Sequence, residues 1–188
     1  MNIFYLDHDV KACAASHVDK HVVKMILEYS QLLSTAHRVL DGHQIIVKPE
    51  FIPELGNKQK RKRKIWQIDD ERNDHLYKAS HINHPSAIWV RQSIKNYEWL
   101  MDLLMALHEE YTFRYEKVHK SFGLLFSFLI EPDNIPNTAF TPPPQAMPDH
   151  YKKEDTIEAY RTYYRLGKNH LANWKKRNPP AWYYNVQL

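Results

Sequence analysis

Glycine and cysteine are both scarce in this chain of 188 residues, and each shortage narrows the range of possible folds. Only 4 glycines are present, whereas an all-β sandwich or barrel needs many tight turns, and a Rossmann fold needs glycines in its phosphate-binding turn. Because α-helices need few glycines, the composition predicts an all-α fold. The one cysteine, Cys13, cannot form an internal disulfide, which indicates a reducing compartment.

Long apolar runs and a secretory leader are also missing. No apolar stretch approaches the ~20 residues of a membrane-spanning helix, and the N-terminus lacks the basic region of a secretory signal. We therefore expect a cytoplasmic protein with no membrane partner. Hydrophobic residues make up 43% of the chain and charged residues 26%, which is the balance of a folded domain. The formal charge of +4 is modest, so its distribution matters more than its sum.

Apolar residues recur every three or four positions along most of the chain, as expected for amphipathic helices. Asp9 is a suitable N-cap for the first of these helices, and Gly42 is a suitable stop for the second. Residues 121–130 are apolar almost all round and predict a buried core helix. The predicted helices span residues 10–16, about 18–40, from 85 through 90, about 94–117, 121–130 and about 154–167.

The remaining segments predict irregular structure. Residues 2–6 read as a short extended segment or a buried tail, and residues 43–64 as a basic loop. Residues 131–149 contain more than half of the 11 prolines, so we expect them to form an extended strap on the surface. No internal repeat or second core is apparent. We expect residues 1–188 to form a single compact helical domain with a short extended N-terminus and a proline-rich surface strap.

A cluster of polar residues near the start of the second predicted helix is the strongest candidate for chemistry. If these positions are helical, they share one face, because they are spaced three or four residues apart. The apolar residues beside them, which include Val23 and Leu27, would face the core. One interpretation is a solvated face with a Lys24–Glu28 ion pair. We favour a catalytic interpretation, since the cluster offers an acid, a base and an amine nucleophile: His17, Lys20, His21, Lys24 and Glu28.

A metal site is an alternative interpretation of the same residues. His17 and His21 have the i, i+4 spacing of two ligands on a helix, and His37, His81 or His84 could supply a third. Lys20 beside such a site would repel a dication. The leading interpretation therefore involves no metal and no cofactor.

Basic residues interleaved with aromatic ones predict contact with DNA. Six cations occur in the seven positions 58–64, which is typical either of a solvated loop or of a segment that contacts phosphates. A predicted helix start at Ser86 could receive an anion, while Trp89 is equally suited to the core. The predicted nucleic-acid-binding residues are Lys60, Arg61, Lys62, Arg63, His84, Ser86, Trp89, Arg91, Arg161, Arg165, Trp182 and Tyr183.

Three segments, covering about half of the chain together, resemble the pyrimidine-dimer DNA glycosylases of phages and bacteria. They are residues 19–24 with Glu28, residues 84–91 with the helix that follows them, and residues 180–184. The chain is also similar to phage proteins without an assigned activity. The glycosylase resemblance implies a compact helical fold that bends duplex DNA, extrudes a nucleotide and attacks its sugar through an amine.

Two departures from that family bear on the mechanism. Glu28 is the nearest match to the family's essential carboxylate, but it lies about one helical turn late. The phage enzymes use the α-amine of a small residue exposed by removal of Met, whereas Asn2 disfavours that removal. Lys20 or Lys24 would have to replace that amine, and neighbouring cations would favour its neutral form.

These observations lead to three hypotheses about function. The first is a DNA-acting enzyme that handles a flipped pyrimidine nucleotide, either glycosylase/AP-lyase-like or DNA base-modifying, in a bacterial or phage-infected cell. The second is a non-catalytic DNA-binding accessory protein, in which the polar cluster only binds phosphates. The third is a His-ligated, metal-dependent nucleotide hydrolase.

Overall fold

The computed structural model describes residues 1–47 and 62–184, which are mostly α-helical and include one two-stranded sheet. The helices are α1 (Val10–Ser16), α2 (Asp19–Asp41), α3 (Arg72–His75), α4 (Pro85–Gln92), α5 (Ile94–Tyr115), α6 (Thr156–Thr162) and α7 (Ala181–Tyr184). The strands are β1 (His43–Val47) and β2 (Arg63–Gln67). A π-helical turn (Tyr163–Gly167) follows α6, and short 3-10 turns span Leu124–Phe128, Asp149–Tyr151 and Asn169–Leu171.

The helices of the N-terminal two thirds form the core of the described structure. Helix α2 packs against α4 and α5, and α1 packs against α5. The caps follow the sequence: the carboxylate of Asp9 accepts a hydrogen bond from the backbone of Ala12 at 2.8 Å, and Ser93 caps α5. The predicted helices 10–16, 18–40, 85–90 and 94–117 are therefore confirmed to within a few residues.

The N-terminal segment is a buried tail. Residues 3–6 make no regular ladder, yet all four side chains belong to the core. The backbone N–H of Phe4 donates to the hydroxyl of Tyr29 at 3.1 Å, and this bond anchors the tail against α2. The tail thereby forms part of the wall against which the first turns of α2 pack.

The segment predicted as a loop over residues 43–64 contains strand structure at both ends, so this prediction is wrong there. Strands β1 and β2 pair in antiparallel register, with Ile45 opposite Ile65 and Gly42 immediately before β1. β-Branched residues at these positions favour pairing, and this preference outweighs the nearby prolines and charges. Residues 48–61 of the predicted loop lie outside the described residues.

The predicted core helix over residues 121–130 is also wrong. Gly123 has a φ of 128°, a conformation that does not occur within a helix. Only a short 3-10 turn follows it. Most described side chains of the stretch are half-buried, with their aromatic rings stacked on histidines of other elements. The ring of Phe128, for example, stacks on His75 with 4.4 Å between centroids. The aromatic side chains of this stretch therefore pack on the outside of α3 and α5, and the stretch does not form a helix within the core.

The proline-rich segment 131–149 is an extended strap, as predicted, with no helix or strand before Asp149. It is anchored where α4 meets α5. The indole N–H of Trp89 donates to the carbonyl of Thr141 at 2.9 Å, and the side-chain oxygen of Asn96 accepts from the backbone of Thr141 at 2.9 Å. Among the described residues, no helix combines the length and apolar character needed to cross a membrane.

Candidate functional site

The polar cluster at the start of α2 is divided between the interior and the surface. His17 lies before α2, at the C-cap of α1, and not on the helix itself. His17 and His21 are 0% and 6% exposed, whereas Val23 and Leu27 are 40% and 37% exposed. Of the apolar residues predicted to face the core beside this cluster, Val22 and Ile26 are buried, whereas the prediction is wrong for Val23 and Leu27. The solvated-face interpretation is wrong for the two histidines. The buried tail and the turn after α6 pack against the histidine side of α2, and periodicity alone does not reveal them.

His17 is a neutral, buried histidine that donates one hydrogen bond. Its Nδ1 lies 2.7 Å from the carbonyl oxygen of Cys13, so Nδ1 carries the proton and donates it. Nε2 is therefore unprotonated, and this enclosed atom has no partner within the described part of the chain. Burial, together with the positive charge of Arg114, lowers the pKa of His17 to about 4.

His21 is held by a hydrogen bond to a tyrosine far away in the sequence. Its Nδ1 lies 2.6 Å from the hydroxyl of Tyr164. Burial raises the pKa of Tyr164 well above its usual value, so the phenol keeps its proton and needs an acceptor. Nδ1 of His21 is the acceptor that the described residues provide. The proton of the neutral imidazole therefore lies on Nε2, which is left for another partner.

Two further elements fix the plane and position of the His21 ring. The ring of Phe4, from the buried tail, stacks on it with 4.3 Å between centroids and an interplanar angle of 15°. Tyr164 lies in the π-helical turn after α6, and insertions of this kind often occur at functional sites. Gly167 ends that turn, where a β-carbon would lie 2.6 Å from ring carbons of Tyr163.

Two lysines, Lys24 and Lys168, lie near His21. Burial is the main cause that lowers its pKa to about 3, and repulsion from His17, Lys168, Lys24 and His170 adds to the effect. The imidazole is therefore neutral at physiological pH in a positively charged setting. A neutral ring that donates from Nε2 beside ammonium groups suits a substrate that carries a polar oxygen and a nearby negative charge.

The other three residues of the predicted cluster lie nearer the surface. Lys20 and Lys24 are exposed, and the ammonium group of Lys24 forms an ion pair with Glu28 at 3.0 Å. The ion pair is the one expected for the solvated-face interpretation. His21, Lys24 and Glu28 nevertheless remain on one helical stripe, since they follow one another at intervals of three and four residues.

A buried guanidinium, which the sequence did not predict, holds the junction between α1 and α2. Arg114 is fully buried and donates to the carbonyls of Ala15 and His17, both at 2.9 Å. It also forms ion pairs with Asp19 at 2.8 Å and Glu110 at 2.6 Å. These bonds fix the backbone from which the His17 side chain projects.

The C-terminal segment docks on the same junction through Asp19. The side-chain amide of Asn173 and the backbone N–H of Lys175 donate to its carboxylate at 2.7 and 2.9 Å. The indole N–H of Trp174 donates to the carbonyl of Ser16 at 3.0 Å. Asp19 thus joins the two ends of the described chain beside the histidines.

Several predicted DNA-binding residues have structural roles instead. Ser86 and Trp89 are buried, so both are corrected to core positions. The N-terminus of α4 is capped by His84, whose Nδ1 accepts from the backbone of Ser86 at 3.2 Å, and this bond replaces the predicted anion contact. Arg91 donates to the carbonyl of Ile82 at 2.7 Å.

The predicted basic and aromatic residues near the C-terminus contact one another. Arg161 donates to the carbonyl of Leu6 at 2.9 Å and lies over the ring of Trp182, 5.3 Å from its centroid. Arg165 donates to the carbonyl of Trp182 at 3.0 Å, and Tyr183 is half-buried. These residues hold α7 against α6. Of the basic run, Lys62 and Arg63 are exposed, while Lys60 and Arg61 lie outside the described residues.

The metal interpretation gains no geometric support. Within residues 1–47 and 62–184, no three His, Cys, Asp or Glu side chains converge as ligands would. His37, one of the proposed third ligands, instead bonds through Nε2 to the hydroxyl of Tyr97 at 2.8 Å.

Comparison of the chain with protein-family models, with curated proteins and with solved structures gives no match. The resemblance to pyrimidine-dimer DNA glycosylases therefore stays a prediction from the sequence.

Proposed function

We propose that this protein is a DNA-acting enzyme that handles a flipped pyrimidine nucleotide, with glycosylase/AP-lyase-like or DNA base-modifying chemistry. The observation that supports this proposal best is the neutral His21, held by Tyr164 one helical turn from the Lys24–Glu28 pair. Such an arrangement provides a hydrogen-bond donor, an amine and a carboxylate together. The setting would be the cytoplasm of a bacterial or phage-infected cell.

His21 would stabilise the departing base. Nε2–H of a neutral imidazole can donate to the O2 oxygen of a pyrimidine, on which negative charge develops as the glycosidic bond breaks. A lowered pKa suits this role, because the ring then acts as a polarising donor and does not lose its proton to the base. Burial and the surrounding cations give His21 a pKa of about 3, so it keeps this form over the physiological range.

Lys24 would supply the attacking amine. Glu28, 3.0 Å away, accepts a proton from the ammonium group and leaves a lone pair on Nζ. That pair forms a bond to C1′ of the sugar as the bond from C1′ to N1 breaks, and the bonding electrons leave with the pyrimidine. One proton of the attached nitrogen passes to the base. The bond from C1′ to O4′ then breaks as the nitrogen lone pair forms the second bond of a protonated imine, and O4′ takes the proton held by Glu28. Lys20 is the alternative amine on the same surface.

Borohydride trapping tests the proposal directly. The full-length protein is incubated with a duplex that contains an abasic site, and borohydride reduces any imine to a stable adduct. We expect an adduct with the native protein, none with Lys24→Gln, and an undiminished yield with Lys20→Gln, the matched surface lysine. Loss of the adduct in Lys20→Gln alone would move the amine to Lys20. Absence of any adduct with native protein that still binds DNA would exclude lyase chemistry.

Tyr164 would act as a positioning residue for His21. In Tyr164→Phe, Nδ1 of His21 loses its donor, so the imidazole can exchange the proton between its two nitrogens. We expect base release to fall while DNA affinity stays close to that of the native protein. If Tyr164→Phe releases the base at the native rate, the fixed tautomer has no part in the reaction.

The exposure of Lys20 and Lys24 favours one alternative, a non-catalytic DNA-binding accessory protein. Exposed ammonium groups can bind phosphates without any reaction. In that case Lys24→Gln would weaken DNA binding in proportion to the charge removed, and no substrate would be converted.

A further inference from the structure

A small cavity beside the β-hairpin is lined by cations and contains no acidic residue. It has a volume of about 130 Å³ and lies between β2 and the segment after α3. Arg38, Lys64 and Lys78 contribute to its wall together with Trp66 and Asn73. Because none of the lining residues carries a negative charge, the cavity has a net positive potential.

Arg38 contributes charge to this cavity but no free donor. Its guanidinium is buried, and all five N–H groups are used in hydrogen bonds of 2.7 to 3.0 Å. Every acceptor is a backbone carbonyl or the amide oxygen of Asn73. No carboxylate of the described residues forms an ion pair with Arg38, and Asp74 acts on it only through a longer-range charge interaction, so the guanidinium adds positive charge to the wall.

Two lysines provide the groups that can reach a ligand, and an indole forms part of the wall beside them. Lys64 and Lys78 are exposed at the cavity, and an ammonium group can turn its donors toward an anion. The indole N–H of Trp66 is enclosed and has no hydrogen-bond partner within the described chain, which is costly for a buried donor. The position of Lys64 is fixed by the sheet, where it pairs with Ile46.

We propose that this cavity binds a phosphate group of the DNA backbone. Fixed positive charge in the wall, two mobile ammonium groups and the absence of an acidic lining suit a compact anion, and the volume fits a phosphate and not a whole nucleotide. β2 begins with Arg63 and Lys64, the last two cations of the basic run 58–64, so the cavity lies beside the residues predicted to contact phosphates. The identity of the ligand as DNA rests on the proposed function, whereas phosphate binding itself does not.

Titration with inorganic phosphate tests the cavity alone. In a ¹H–¹⁵N spectrum of the full-length protein, we expect the indole resonance of Trp66, assigned through Trp66→Phe, to shift saturably with phosphate. The shift should be lost in the double variant Lys64→Gln/Lys78→Gln and retained in Lys153→Gln, an exposed lysine outside the lining. Acetate at equal ionic strength is the control anion. No saturable shift, or the same shift with acetate, would overturn the phosphate site.

The salt dependence of DNA binding tests the assignment to DNA. Each lost phosphate contact should reduce the slope of log affinity against log salt by about 0.9 on duplex DNA. We expect Lys64→Gln/Lys78→Gln to reduce the slope by about one unit and Lys153→Gln to leave it unchanged. Saturable phosphate binding with an unchanged slope would overturn the assignment to DNA. A reduced slope without any borohydride adduct would keep the phosphate site and remove only the lyase chemistry.

Discussion

Acidification should unfold this protein through its buried histidines, and the size of the effect follows from the structure. Burial lowers the pKa of His17 and His37 to about 4 and that of His21 to about 3, from an ordinary value of 6.5. Each of them binds a proton less readily in the folded protein than in the unfolded chain. Unfolding therefore takes up protons below pH 6.5, and the free energy of unfolding falls as the pH falls toward 4.

The expected loss is comparable to the whole stability of a domain. One pKa unit corresponds to about 1.4 kcal/mol, so each histidine accounts for roughly 3 kcal/mol between neutral pH and pH 4. Together they account for on the order of 10 kcal/mol, against the roughly 5–15 kcal/mol by which domains are usually stable. The pKa values of His84, His108 and His119 are lowered in the same direction by burial and add to the effect.

Urea unfolding at a series of pH values measures this proton uptake, since the slope of the free energy of unfolding against pH gives the number of protons bound. The range from about 5.5 to 7 isolates the histidines, because most carboxylates titrate below it. We expect an uptake near pH 5.5 of roughly three protons, or about 4 kcal/mol per pH unit. His37→Gln should remove about one of these protons, and His150→Gln, at an exposed position, should remove none. An uptake of less than about one proton in the native protein would show that these histidines are not buried and neutral. The proposed role of His21 would fail with it.

Three further predictions concern particular residues. Arg114→Met should lower the free energy of unfolding, measured in urea, by about 3–5 kcal/mol, because Glu110 and Asp19 lose a buried partner. Arg177→Met, at a half-exposed position, should lower it by less. Gly167→Ala should cost roughly 1–3 kcal/mol in the same assay, since the added β-carbon would lie 2.6 Å from the ring of Tyr163; a native unfolding curve would show that the turn adapts. Neutralising the four cations of the basic run should reduce the slope of log DNA affinity against log salt by a unit or more, roughly 0.9 for each lost contact; the residues are Lys60, Arg61, Lys62 and Arg63. An unchanged slope would identify the run as a solvated loop.

The candidate site could be predicted from the sequence only in part. The spacing of His17 and His21 indicated a functional pair, and the structure brings both into the interior. Their partners could not be predicted, because Tyr164 is 143 residues from His21, and a single sequence carries no signal that pairs the two. Arg114 likewise reads as one more cation on a long amphipathic helix, although it binds the backbone of His17.

The sequence by itself determined the position of most helices. Apolar periodicity located α2 and α5, and the capping residue Asp9 specified where α1 begins, since these signals act over a few residues. Prolines likewise determined that residues 131–149 form a strap, because they remove backbone donors and restrict φ.

Only the tertiary structure decided that the histidine side of α2 is buried. Val23 and Leu27 are apolar yet exposed, and His21 is polar yet buried, because the tail and the π-helical turn cover one side of α2. The same burial makes both histidines neutral, since an imidazolium loses its hydration there. Their protonation, on which the proposed chemistry depends, is therefore a property of the packed chain, because desolvation requires segments that are distant in the sequence to meet.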